Sequence, residues 1–378
     1  MQYRKLGKTE DKVSILGMGC MRFPKVRRDG KEYVDLEMAE SLLVRAYEKG
    51  INYFDCAPAY CDRKCEQIVG KTVRPFRKDI MLSSKIPLQE VKKPEDYRYW
   101  LERSLNHMQT DYLDNYLFWG INRELFEKVI EPLDLLTEGQ RAKEEGLVRR
   151  IALSVHDSPE NICYMLERAE KYGMGFDMIL CQYNLLDRKN SEVLTFAKEH
   201  GIGTMVMGPV AGGRLAWPSV LSQKMGEKEQ IPTSELALRY VMENQNVDCT
   251  LSGMSSLEMI DENTALADEI GHTPGEFRER MEEAAKKLEE LARLYCTGCG
   301  YCQPCPANIE IGKILYLVNC DRVYGLHGYA KKEFEKYSEK NGVPSEVCLN
   351  CGKCEEKCPQ GLKIRKELEA ACMRLGEK

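Results

Sequence analysis

Eight cysteines near the C-terminal end of the chain are spaced for metal chemistry. Cys348, Cys351, Cys354 and Cys358, followed by Pro359, read C-x2-C-x2-C-x3-C-P, the spacing of bacterial 4Fe–4S ligation. Two-residue gaps let three thiolates wrap the corners of one cubane, and the displaced fourth reaches a second cubane. Cys296, Cys299, Cys302 and Cys305, followed by Pro306, repeat the run with its last gap shorter by one residue. The spacing predicts two 4Fe–4S clusters. One is expected on Cys296, Cys299, Cys302 and Cys358, the other on Cys348, Cys351, Cys354 and Cys305. Zinc also takes C-x2-C pairs, but it rarely needs four cysteines at three-residue intervals twice over. Cys320, between the runs, falls in a helical stretch and reads as core.

A second set of polar residues suits acid–base work: Asp55, Tyr60, Lys85, Ser154, His156 and Gln182. What positions them is an alternation of strand and helix signals before the cysteine runs. Strand-like runs are Val13–Leu16, Ile51–Phe54, Ile80–Ser83, Asn115–Phe118, Arg150–Ser154, Met178–Gln182, Thr204–Met207 and Cys249–Leu251. Amphipathic helical stretches such as Leu36–Lys49, Pro94–Met108, Pro159–Lys171, Ser191–His200 and Ser234–Asn244 lie between them. Eight strand–helix units predict an α/β fold, a parallel (β/α)8 TIM barrel, whose chemistry sits where strands end. An open doubly wound sheet would want a third glycine after its first strand, and Leu16-Gly17-Met18-Gly19-Cys20 lacks it. The expected layout is a barrel over 1–272, a linking helix over 273–294, and a small helical ferredoxin-like iron–sulfur domain over 295–378.

The barrel portion resembles the aldo-keto reductase family. The resemblance rests on Phe54-Asp55-Cys56-Ala57-Pro58-Ala59-Tyr60 with Glu66 and Gly70 downstream, on Ser83-Ser84-Lys85, on Asp111-Tyr112-Leu113-Asp114, and on Ser252-Gly253-Met254-Ser255-Ser256 leading to Glu262-Asn263. With the cysteine runs, the whole chain is similar to the branch of that family fused to a two-cluster ferredoxin domain. The resemblance implies a nicotinamide cofactor and a Tyr–Lys–Asp–His tetrad: Tyr60 as general acid, Lys85 as the nearby cation, Asp55 holding Lys85 charged. A tyrosine with a reference pKa of about 10 needs such a cation to make its anion accessible. It also implies that Ser154, Gln182, Met207, Ser255, Glu262 and Asn263 contact the nucleotide.

The pattern departs from the family at three places. Trp119 stands where the tetrad histidine would. Indole offers one N–H donor and does not titrate near neutral pH; Trp119 is either part of a pocket for a changed, conjugated substrate or plain packing at the rim. The cofactor loop has Gly253, Met254 and Met259 where basic residues would meet a 2′-phosphate, which leaves NADP and NAD both open. Met207-Gly208-Pro209 lacks the family's stacking tyrosine, and Met207 could pack there through its thioether. His156 reads as a structural hydrogen-bonding residue. Cys20, Cys56, Cys61 and Cys65 match no cluster motif and read as scattered inert thiols.

A formal charge of −5 gives no reason to expect nucleic acid or an anionic membrane as partner. No apolar run approaches the roughly 20 residues that span a bilayer. The charged N-terminus has no signal-peptide core, and a cytoplasmic location is expected. Hydride chemistry moves two electrons and each cluster one, so a direct circuit would want a converter such as flavin. Gly212-Gly213-Arg214 could meet a flavin phosphate through backbone N–H groups and Arg214. The sequence thus favours an iron–sulfur oxidoreductase acting on a small-molecule carbonyl or conjugated substrate, with a redox partner protein possible in principle. The alternative is a non-enzymatic electron-transfer or interaction protein with a degenerate barrel site.

Overall fold

The computed structural model describes the chain except residues 172, 227–230, 272–274, 294–295, 297–299, 301, 359–360 and 377–378, and the side chains of 275, 288 and 291–293. Cys299 and Pro359 therefore lie outside the described residues. The described residues form two bodies: 1–209 with 238–273, and 210–237 with 274–378.

The first body opens with an antiparallel hairpin of β1 (Tyr3–Lys5) and β2 (Lys12–Ser14). The first barrel strand, β3, is Leu16–Gly19. The apolar run Val13–Leu16, expected as one strand, is thus divided. Val13 pairs with Arg4 in the hairpin. Ser14 then turns the chain: its Oγ donates to Leu16 O at 2.7 Å and its N–H to Asn52 Oδ1 at 2.8 Å. A second hairpin, β4 (Lys25–Arg28) with β5 (Lys31–Val34), follows. Its turn is Asp29-Gly30, with φ of 50° and 76°. Asp-Gly is a standard signal for such a hairpin, yet the sequence reading missed it.

The remaining barrel strands are β6 (Tyr53–Asp55), β7 (Met81–Ile86), β8 (Leu113–Ile121), β9 (Val148–Val155), β10 (Met178–Gln182), β11 (Gly203–Met207) and β12 (Cys249–Ser252). With β3 they make a closed barrel, each strand beside the next in chain order and β12 parallel to β3. Parallel strands covered by helices are buried on both faces, and β6 and β7 are buried along their whole length. The interior is filled by Tyr53, Met81, Leu117, Ala152, Leu180, Met205 and Leu251, with Leu6 and Val13 of the hairpin segment in the same cluster. The expected helices are present. Leu36–Glu48 starts on Asp35, whose carboxylate accepts from Met38 N–H; a further helix, Leu257–Glu269, which was not among those expected, starts on Ser256, which accepts from Met259 N–H.

Between β8 and β9 the register slips. Phe118 faces Leu153, but Ile121 faces Val155, so two residues, Trp119 and Gly120, oppose one. This is a β-bulge, a device that re-aims a side chain at the rim of a barrel. Gly120 carries it with φ of +66°, and a Cβ there would meet nothing within 4 Å. The glycine is needed for its backbone angle alone.

The second body is helical. Ile311–Arg322, His327–Asn341 and Ile364–Leu375 pack through Ile314, Leu315, Cys320, Phe334, Leu368 and Leu375, all buried. Cys320 is core, as its helical position suggests. Asp321, in the first of these helices, ties it to the other two, bonding Arg374 and the Nδ1 of His327. A segment from before β12 belongs to this body. The Arg214 guanidinium lies 5.4 Å from the Tyr316 ring centre, Lys332 Nζ lies 5.0 Å from that of Trp217, and Lys224 Nζ donates to Arg322 O at 3.1 Å. The sequence division keeps 210–237 with the barrel; here those residues pack with the helices. Gly275–Arg293 forms one long helix.

Candidate active site

Strands β6 and β7 place Asp55 and Lys85 at their C-terminal ends, both buried, at 5% and 1% exposure. Lys85 Nζ donates to Asp55 Oδ1 and Oδ2, each at 2.7 Å, and to Cys56 O at 2.7 Å. Ser83 Oγ donates to Asp55 Oδ1 at 3.2 Å. All three donors of the ammonium are thereby used or oriented. Burial pushes the Lys85 pKa down, but the charges of Asp55 and of a Tyr60 anion outweigh it, and the net direction is up. A buried pair of this kind contributes little net stability. Its value is a cation held at one place.

Lys85 faces Tyr60. Its Nζ lies 4.8 Å from the centre of the Tyr60 ring. Burial pushes the Tyr60 phenol up to about 12, against the charge of Lys85, which lowers it. The β8 bulge brings Trp119 edge-on to the same ring, with centres 5.7 Å apart and planes at 89°. This is the favoured edge-to-face geometry. Asp55, Tyr60, Lys85 and Trp119 are thus one cluster.

Of the six residues expected to meet a nucleotide, three occupy other strand ends, Ser255 lies in the loop after β12, and Glu262 and Asn263 lie in the helix Leu257–Glu269. Ser154 is buried at the end of β9, and Gln182 and Met207 are half-buried at the ends of β10 and β11. Gly208, at φ +67°, lets the Gln182 amide come against its backbone; a Cβ there would lie 2.8 Å from Gln182 Nε2 and Oε1. A cavity of about 320 Å³ opens here, lined by Val155, His156, Asp157, Gln182, Asp187, Lys189 and Asn190. Asn190 was not singled out by sequence. Its Nδ2 donates to Gln182 O at 2.9 Å, while its Oδ1 is buried with no protein partner. It sits in the polar stretch Asp187-Arg188-Lys189-Asn190, which reads as an ordinary loop, so no sequence signal marked it. Ser255 and Glu262 are exposed and Asn263 is half-buried, following β12. They stand apart from the cavity-lining set. Arg214 is committed elsewhere, since its Nε donates to Ala211 O at 2.8 Å and its guanidinium covers Tyr316.

The thiols near Tyr60 are not scattered. Cys61 and Cys65 both donate to Cys20 O, each at 3.3 Å, and Cys20, Cys56 and Cys65 are fully buried together. Strand pairing of Met18 with Phe54 brings Cys20 beside the Tyr60 loop, a juxtaposition that spacing along the chain does not reveal.

In the helical body, Cys302, Cys305, Cys348, Cys351 and Cys354 line one cavity. Arg365 is fixed beside it, with Nη2 on Glu355 Oε2 at 2.8 Å and Nη1 on Asn350 O at 3.2 Å. Burial raises the Cys354 thiol, and the nearby Cys305 adds to the shift. Cys296 and Cys358 do not line this cavity. Among the described residues no three such side chains converge as they would on a single ion. Thiols are the ligands of iron–sulfur clusters, and five of them line this one cavity.

A closed parallel barrel with a Tyr, Lys and Asp cluster at its strand ends is the architecture of an aldo/keto reductase. The aldo/keto reductase family model matches residues 15–286, and a 4Fe-4S dicluster domain model matches residues 290–359. The chain belongs to the aldo/keto reductase family. An uncharacterized oxidoreductase, YqkF, of Bacillus subtilis (strain 168) is 27% identical over 323 residues, covering 76% of this chain and 96% of the relative. L-galactose dehydrogenase of Arabidopsis thaliana is 26% identical over 316 residues, covering 78% and 96%. Among solved structures, the holo form of aldo-keto reductase AKR11C1 from Bacillus halodurans superposes with a TM-score of 0.63 at 26% identity, over 75% of this chain and 96% of that one. The protein is an oxidoreductase with an iron–sulfur domain, and its family implies a small-molecule substrate. Among the described residues no helix is long and apolar enough to cross a membrane.

Proposed function

We propose that this protein reduces a carbonyl or conjugated organic substrate in the barrel, with Tyr60 as proton donor, a nicotinamide nucleotide as hydride source and two 4Fe–4S clusters for electron transfer. The observation that carries the reading is the buried Lys85, gripped by Asp55 and Cys56 O and aimed at the Tyr60 ring. When bound, the nicotinamide supplies a hydride and the clusters pass single electrons. The chain's own residues do the rest. Tyr60 stays protonated at neutral pH because burial holds it near 12. Lys85 stabilises the phenolate left after proton donation. Asp55 keeps Lys85 charged. Trp119 covers the Tyr60 ring and excludes water from it.

The cavity beside β9 and β10 fits a carboxamide. The orphaned Asn190 Oδ1 is an acceptor for an amide N–H, and Ser154 and Gln182 stand at the neighbouring strand ends. Ser255, Glu262 and Asn263 would meet the adenosine end, and Met207 would pack against the ring. NADP and NAD remain equal candidates, and nothing in the geometry of Arg214 speaks for a flavin phosphate. Cys305, Cys348, Cys351 and Cys354 would hold one cluster. Cys296, Cys299, Cys302 and Cys358 would hold the other. A redox partner protein would reach the first cluster at its exposed edge, where Leu349 is 66% exposed.

The test is anaerobic purification followed by addition of NADPH or NADH while the cluster absorption is followed. Bleaching by either nucleotide, together with turnover on a carbonyl panel, is the expected result. Failure of both nucleotides to bind overturns the nicotinamide reading.

A further inference from the structure

Four thiols surround the loop that carries Tyr60, and the chemistry proposed for the barrel uses none of them. Cys20 arrives from the end of β3, Cys56 from the end of β6, Cys61 from the loop and Cys65 from the first turn of helix Cys65–Val73. Two of them meet at a single acceptor, since Cys61 Sγ and Cys65 Sγ each donate to Cys20 O at 3.3 Å. Both sulfurs therefore lie within hydrogen-bonding reach of the same carbonyl oxygen. Cys61 is half-buried and reachable from solvent; Cys65 is fully buried behind it. Cys61 also holds a left-handed backbone, φ 53°, as do Asp62 and Arg63 at 55° and 66°. The segment joining the two sulfurs is therefore a tight, looped turn and not a helical one.

We propose that Cys61 and Cys65 form a redox-active dithiol, in which Cys61 is the attacking thiol toward small disulfides and Cys65 the resolving one. The arrangement has the two features such a pair needs: an accessible nucleophile and a second thiol poised next to it. Hydrogen bonding from Cys65 lowers the Cys61 thiol to about 7 against the opposing effect of burial, whereas burial holds Cys65, Cys20 and Cys56 well above the ordinary thiol value. In the first step the Cys61 thiolate attacks one sulfur of a low-molecular-weight disulfide. A bond forms from Cys61 to that sulfur, and the other half leaves as thiolate. In the second step Cys65 loses its proton, attacks the Cys61 sulfur and expels the second half as thiolate. The protein gives up two electrons and two protons, and the small disulfide becomes two thiols. Cys61 directly follows Tyr60, so closing this bond acts on the loop that presents the phenol.

The test uses the anaerobically purified full chain with its clusters, treated with 2-hydroxyethyl disulfide, quenched with an alkylating maleimide and mapped by mass spectrometry after trypsin. Cleavage at Arg63 and Lys64 puts Cys61 and Cys65 on different peptides, joined only by a disulfide. Cys56 shares the Gly50–Arg63 peptide with Cys61, so fragment ions between the two assign the bond, and the expected product joins Cys61 to Cys65. Cys61 is expected to react about tenfold or more faster than the comparably half-buried Cys163, whose thiol burial raises. Cys65→Ala is expected to trap the mixed disulfide on Cys61, and Cys61→Ser to abolish the linked product. Three results overturn the proposal: Cys61 reacting no faster than Cys163, Cys61 linking to a cysteine other than Cys65, or bound zinc or iron that is lost in Cys61→Ser. The wild-type map alone decides the first two, so the answer does not depend on a variant folding, nor on whether the barrel reduces a carbonyl.

Discussion

Lys85 Nζ points at the Tyr60 ring from 4.8 Å while both oxygens of Asp55 hold it at 2.7 Å. The cation cannot leave without stranding a buried carboxylate, so the phenol always faces a positive charge. Tyr60→Phe keeps the ring, its edge contact with Trp119 and its packing, and removes only the proton. A general acid contributes about 10²–10⁴-fold. The expected outcome is a loss of kcat within that range with nucleotide affinity unchanged, read by steady-state turnover and a nucleotide titration.

Asp55→Asn tests the other half of the relationship. The wild-type carboxylate raises Lys85 against the downward push of burial. Without it, burial dominates and the ammonium loses its proton at lower pH. Activity requiring charged Lys85 is present below that pKa and lost above it. The expected profile of kcat/KM gains a falling limb on the alkaline side that the wild type lacks. In the wild type the Tyr60 phenol, pushed up to about 12, stays protonated across neutral pH, so this group alone gives a flat profile from about pH 6 to about pH 9.

The bulge at Trp119 and Gly120 offers a stability test at the edge of the site. Gly120 has φ of +66° and open space where a Cβ would go. Gly120→Ala therefore adds backbone strain with no clash, worth about 1–2 kcal/mol. A lower Tm is expected, together with a changed edge contact between Trp119 and Tyr60, visible in tryptophan fluorescence.

These residues differ in how far the sequence reveals them. Lys85 and Asp55 could be placed because the strand-like runs Ile80–Ser83 and Ile51–Phe54 lead to them, and strand ends in a parallel barrel share one face. The first strand was misplaced because Val13, Ile15 and Leu16 are all buried although they belong to two different structures. Apolarity alone cannot separate a hairpin from the strand that follows it. Asn190 and the thiol group escaped for a different reason. Their meaning lies in contacts across the barrel, Cys20 with Cys61 and Asn190 with Gln182, and no local period encodes such contacts.

Asn190→Leu probes the cavity. It removes both the bond to Gln182 O and the orphaned acceptor. A hydrogen bond to a neutral partner is worth about 0.5–1.5 kcal/mol net, so nucleotide binding is expected to weaken by roughly threefold to tenfold. Ser255→Ala, at an exposed position, should have a smaller effect. An unchanged affinity in Asn190→Leu would place the carboxamide elsewhere.

The two cysteine runs make a prediction that separates cross-ligation from simple consecutive ligation. Cys305 and Cys302 of the first run both line the cavity with Cys348, Cys351 and Cys354, and Cys358 does not line it. Under cross-ligation, Cys305→Ala disturbs the cluster of the second run, and Cys358→Ala that of the first. Each variant is expected to lose about half the iron and acid-labile sulfide, or to yield a three-iron cluster signal at one centre only. The discriminating measurement is Cys305→Ala combined with Cys351→Ala. Under cross-ligation both changes fall on one cluster, and the double variant keeps about half the iron. Under consecutive ligation they fall on two clusters, and nearly all of it is lost.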